Sequence, residues 1–143
     1  MNKNFLTCLL TGLLVSLAGV ASAQLSAALV QQKICTKWSF DRAVIHESGV
    51  PVESPQGDQA NTLVFQKDGT YLQTANGNVM EGTWEFNEEA SRLFLKVLRY
   101  NGRDIPQGEA RTYQWILVKL DQGKMELVRE ARQNLIREIY RTQ

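Results

Sequence analysis

The residues able to do chemistry are few and scattered. His46 is the only histidine. One histidine and a distant thiol supply neither a zinc-ligand set nor a nucleophile–base pair at recognisable spacing, so His46 reads as a solvated residue at a strand end. Glu88 and Glu89 are adjacent carboxylates. A carboxyl pair that does acid–base work needs opposed positions in a cleft and divergent pKa values, whereas these two fall in a turn. No glycine-rich phosphate loop, Walker sequence or His-Glu zinc motif occurs. The sequence thus offers no catalytic set, no metal ligands and no cofactor motif, and the chain reads as a non-enzyme.

The arginines form a more suggestive group. Arg99, Arg103 and Arg111 flank or lie in one Gly/Pro-containing stretch, and Arg129, Arg132 and Arg137 flank a second connection. Arg42 interrupts an apolar alternation. Guanidinium forks suit carboxylate or phosphate. Arg42, Arg99, Arg103, Arg111, Arg129 and Arg137, with Tyr113, are therefore the candidate residues for an anionic head group. The opposing reading is ordinary surface charge balanced by Glu47, Glu53, Asp104, Glu109 and Glu130.

What must position these side chains is mostly strand. Met1–Ala23 reads as a secretory leader and not as fold: Lys3, then the apolar run Phe5–Val20, then Ala21-Ser22-Ala23 as a cleavage site before Gln24. Cys8 lies early in the apolar run, so no lipid anchor is expected there. Removing residues 1–23 from the 143 leaves 120, enough for one domain with one core. Lys3 is the only charge removed, so the 16 basic and 15 acidic residues become 15 of each. A neutral chain has no field to attract nucleic acid or acidic membranes. The mature chain is expected to be exported to the periplasm or beyond, soluble and monomeric. Its single thiol, Cys35, cannot make an internal disulfide. It reads as a small buried apolar residue beside Ile34 and Trp38, the alternative being a reactive or bridging thiol.

Leu25–Ile34 is the one helical stretch after the leader; being short, it must dock to be stable. The period then changes to two. Strands are expected at Thr36–His46, Asn61–Gln66, Thr70–Ala75, Val79–Asn87, Arg92–Leu98, Arg111–Leu120, Lys124–Glu130 and Leu135–Thr142. In the first, Trp38, Phe40 and Val44 share one parity with Arg42. Asp68-Gly69 and Asn76-Gly77 are hairpin turns. Glu47–Ala60 and Arg99–Glu109, rich in Gly and Pro, read as long loops. A long helix over Met125–Tyr140 is the rival for the last two strands. One short helix and eight evenly spaced strands predict an all-β fold, an antiparallel up-and-down barrel. That order gathers both long loops at one end, as an open mouth, and puts the short turns and the helix at the closed end. Such a barrel is either filled by side chains or holds one small ligand.

The sequence resembles the small bacterial secreted lipocalin-like domains, calycin-type barrels. The residues carrying the resemblance are Trp38, Leu63-Val64-Phe65 followed after three residues by Gly69-Thr70-Tyr71, Gly82-Thr83-Trp84, Leu93-x-Leu95, and Trp115-x-Leu117 through Leu127. The usual Gly-x-Trp opening is Thr36-Lys37-Trp38 here. The resemblance implies an eight-stranded calyx for a small apolar or amphipathic molecule, with Trp38 packed under a late arginine, Arg137 or Arg141. On that reading the cavity is lined by Trp38, Phe40, Leu63, Phe65, Trp84, Leu95 and Trp115. The alternative is a protein-binding module, such as a periplasmic hydrolase inhibitor, with a filled interior and a protruding Glu47–Ala60 loop.

Overall fold

The computed structural model describes residues 25–47, 50–54, 61–131 and 134–142; the expected leader lies outside them. Strand β1 (Lys37–Glu47) pairs along one edge with β10 (Asn134–Thr142), from Trp38 opposite Thr142 to His46 opposite Leu135. Between them the chain passes antiparallel through β3 (Thr62–Phe65), β4 (Thr70–Ala75), β5 (Asn78–Asn87), β6 (Arg92–Tyr100), β8 (Thr112–Asp121) and β9 (Lys124–Ala131), each paired with the next. The β1–β10 ladder closes these eight strands into an up-and-down barrel, as expected. Met125–Tyr140 is the β9–β10 hairpin and not a helix: Met125 faces Tyr140 and Ala131 faces Asn134.

Two further strands replace parts of the expected loops. Val50–Ser54, inside the stretch read as a loop, is β2, and it folds back on Ala43–Glu47. Pro51 is tolerated because β2 lies on an edge, where its missing N–H breaks no ladder. In the stretch Arg99–Glu109, β6 continues to Tyr100 and turns at Asn101-Gly102 into β7 (Arg103–Asp104). Asn101 and Gly102 both have positive φ, 48° and 77°, as do Asn76 and Gly77, 51° and 76°. This is the paired left-handed geometry that Asn-Gly favours in two-residue hairpins. The two turns are tied together at the mouth: Val79 N donates to Asn101 Oδ1 at 2.7 Å, and Asn101 Nδ2 to Asn78 Oδ1 at 3.0 Å.

The closed end is plugged by α1 (Ala27–Ile34). Ser26 caps it, accepting from Leu29 N at 3.3 Å, and Glu88, in the β5–β6 turn, accepts from Ala27 N at 2.9 Å. Gln31 Nε2 donates to the Lys67 carbonyl in the β3–β4 turn at 3.1 Å. Val30 and Ile34 are fully buried against the barrel. Eight residues are too few for an isolated helix; these ties and the two apolar anchors hold it. Above them the lower half of the barrel is solid. Trp38, Leu63, Phe65, Trp84, Leu93, Leu95, Leu117, Met125 and Leu127 form one core, with Phe65 and Trp84 edge-to-face at 5.6 Å. Burying each such side chain is worth about 1.5–3 kcal/mol, so the closed half is where most of the core's stability resides. Among the described residues no helix is long and apolar enough to cross a membrane.

Candidate functional site

The upper half of the barrel is not filled. A cavity of about 480 Å³ opens at the mouth. Its apolar wall comes from Phe40, Ala43 and Ile45 of β1, Ala75 of β4, Met80 of β5 and Ile136 of β10. Strict alternation cannot put Phe40, Ala43 and Ile45 on one face. A bulge does: Phe40 faces Tyr140 and Arg42 faces Ile139, so Asp41 is the extra residue and the parity flips after it. Arg42, expected inside by parity, is thereby turned to the outer surface. There Asp41 Oδ2 accepts from Arg42 Nη1 at 3.3 Å and from Arg141 Nε at 3.0 Å.

The polar part of the cavity is a cluster from two adjacent strands. Arg129 of β9 faces inward and its Nε donates to Glu138 Oε1 at 2.8 Å; Tyr140 Oη donates to Glu138 Oε2 at 3.0 Å. Glu138 is thus neutralised by a cation and held by a phenol inside the barrel. Burial, and then the neighbouring Glu138 carboxylate, push the Tyr140 pKa well above the ordinary tyrosine value. Its hydroxyl remains a donor throughout the physiological range. The Arg129 side chain keeps 39% of its surface exposed, so its terminal nitrogens remain open to a polar group in the cavity. Gln73, Asn61 and Tyr113 complete the polar lining, and Phe40 packs edge-to-face on Tyr140 at 5.6 Å.

A second chamber of about 720 Å³ shares Met80 and Tyr113 with the first and extends beneath the stretch that follows β7, where Ile105, Glu109 and Arg111 line it. The mouth thus carries two neighbouring spaces that share Met80 and Tyr113, the first with the Arg129, Glu138 and Tyr140 cluster on its wall.

Of the residues singled out as head-group ligands, Arg129 and Tyr113 line the cavity and Arg111 with Tyr113 lines the second chamber. Arg99 faces outward, its Nε donating to Asp104 Oδ1 at 2.9 Å; that hydrogen bond raises its pKa above the ordinary value. Arg103 is exposed on β7. Arg137 lies on the outer parity of β10, 3.7 Å from Glu126 Oε2. Of the residues expected to line the cavity, Phe40 and Trp115 do so, while Trp38, Leu63, Phe65, Trp84 and Leu95 belong to the packed core below it. Trp38 does not sit under an arginine. Its Nε1 donates to the Ile34 carbonyl at 2.9 Å, and Arg137 and Arg141 lie on the opposite face of the wall. Glu138 and Tyr140 went unrecognised in the sequence. Their signal was present: Glu138 sits on the apolar parity of Ile136 and Tyr140, and Arg129 on that of Met125 and Leu127.

Among the described residues no three His, Cys, Asp or Glu side chains gather to hold a metal ion. Cys35 is half-buried against the core, and burial raises its pKa, which disfavours the reactive thiolate.

No family model matches the chain, and no curated protein matches it. Among solved structures it is similar to a lipocalin-like protein from Bacteroides uniformis ATCC 8492. Identity is 15%, the match covers 78% of this chain and 99% of that one, and the TM-score is 0.48.

Proposed function

We propose that the protein is an exported, non-enzymatic lipocalin-like barrel that binds one small apolar or amphipathic molecule at its open end. The observation that carries this reading is the mouth cavity of about 480 Å³, apolar on most of its wall and polar at Arg129, Glu138 and Tyr140. Small-molecule sites have this size and this mix of broad apolar lining with a few convergent polar groups. The residues that would take the ligand's polar end are Arg129 and Tyr113, with Arg111 in the adjoining chamber. Because Glu138 already neutralises Arg129, an uncharged head group is as well suited as an anionic one. The reading as a protein-binding inhibitor called for a filled interior, and the open upper half favours the small molecule.

The test is direct titration of the purified protein with a dansylated undecanoic acid, followed by its fluorescence. Saturable binding at one site, displaced by unlabelled fatty acid or fatty alcohol, is expected. Ala75→Trp places an indole in the cavity and leaves the closed-end core untouched. It is expected to weaken binding at least about tenfold, the effect of about 1.4 kcal/mol. Absence of saturable binding, or equal binding by the filled variant, would defeat the reading.

A further inference from the structure

The barrel wall is not continuous around the cavity. The ladder between β8 and β9 begins at Ile116 opposite Val128 and runs toward the closed end. Toward the mouth, β8 continues to Thr112, held on its other edge to Lys96 of β6, and β9 continues to Ala131, held on its other edge to Asn134 of β10. Among the described residues no β8–β9 pair lies above Ile116 and Val128, and each strand is anchored there to a different neighbour.

A groove of about 340 Å³ occupies that parting. It is lined from outside by Gln114, Ile116, Val128 and Leu135, and from inside by Trp115 and Arg129. Trp115 and Arg129 also line the interior cavity. In a closed wall the hydrogen-bonded backbone separates inward from outward side chains, because successive residues point to opposite faces. Side chains that border both spaces stand in an opening. On the outside, Ile116 and Leu135 are 38% and 48% exposed, an apolar pair set among the polar side chains of Arg92, Gln114 and Glu130, which also line the groove.

We propose that the β8–β9 parting is a lateral portal, through which the apolar part of the ligand enters the cavity with Trp115 and Arg129 as its gate. The inference rests on the ligand-binding reading above and adds the route. An apolar chain crossing here meets Ile116, Val128 and Leu135 outside and the Trp115 ring within. Its polar end is left at Arg129, whose Nε is already oriented by Glu138 at 2.8 Å.

Stapling the two strands tests this. Gln114→Cys and Glu130→Cys face each other across the parting if the register of Ile116 and Val128 is continued. They are introduced together in a full-length-encoded protein with Cys8→Ser and Cys35→Ser, and joined after folding by a short bis-maleimide. The control staple joins Thr83→Cys to Lys96→Cys, opposite each other on the unbroken β5–β6 ladder. Stopped-flow association of dansylated undecanoic acid is expected to slow about tenfold or more in the stapled portal, with no change in the control staple or in the unjoined double-cysteine protein. Unchanged association in the stapled portal, or equal slowing in both staples, would overturn the portal while leaving the binding site standing. Absence of probe binding by the unstapled protein would defeat the binding reading itself, and the portal with it.

Discussion

Arg129 and Glu138 face one another inside the barrel, and their pairing makes each depend on the other. Removing the guanidinium leaves a carboxylate with 13% exposure and no cation, and a stranded charge costs more than the pair contributed. Arg129→Met is therefore expected to destabilise the protein by about 1–2 kcal/mol, and Arg129→Met with Glu138→Gln by less than Arg129→Met alone. Urea unfolding of the single and double variants checks the order. Tyr71 shows the opposite case. Its hydroxyl is buried with no hydrogen-bond partner among the described residues, and burial, followed by Tyr113, pushes its pKa up to about 12. The folded state then keeps a proton that the unfolded chain releases near the ordinary tyrosine value of about 10. Stability is unaffected below that value and falls as pH rises from it toward the folded-state value. Tyr71→Phe is expected to match or exceed the parent's urea midpoint at neutral pH and to flatten the alkaline decline, read as urea midpoints across that range. Gly82 is needed for a steric reason: facing Tyr71 across the ladder, a Cβ there would overlap the Lys96 carbonyl oxygen. Gly82→Ala is expected to cost at least about 2 kcal/mol, the range of overpacked cores, in the same unfolding assay.

Among the elements, α1 is the one whose presence depends on others. Its cap at Ser26 and its tie to Glu88 satisfy N–H groups that the first turn leaves unpaired. Glu88→Ala and Ser26→Ala are each expected to lower stability by about 1 kcal/mol, measured by thermal unfolding. The elements were largely legible in the chain. Alternation located β5 and β10, and the Asn-Gly and Asp-Gly pairs located the turns. What was missed lay where a local rule is overridden by neighbours. Pro51 argued against a strand, yet an edge position beside β1 needs no N–H from it. Asn101-Gly102 is the same hairpin pair as Asn76-Gly77, but the Gly and Pro residues that follow it hide the hairpin in a loop-like stretch. The short β7 carries no alternation of its own and exists because β6 outruns β8.

The molecule as a whole is a barrel of two halves, solid where α1 closes it and hollow where the β1–β2 and β6–β7 hairpins extend its rim. A ligand that binds only the folded form stabilises it by mass action, about 2.7 kcal/mol at a hundredfold excess over its dissociation constant. Addition of a bound fatty acid is thus expected to raise the melting temperature of the parent and to leave that of Ala75→Trp unchanged.

The eight barrel strands, their up-and-down order, the helix at one end and the gathering of the longer connections at the other followed from periodicity and turn chemistry, which are local and short-ranged. Which side chains share the cavity did not. The bulge at Asp41 reversed the facing of Arg42, Ala43 and Ile45, and a bulge arises from pairing with β10, almost a hundred residues away in sequence. The depth to which the core fills depends on how Trp38, Trp84 and Ile34 interlock, and the break between β8 and β9 depends on which neighbour each strand keeps. Such matters are decided by register and packing between distant segments, and only the closed barrel sets them.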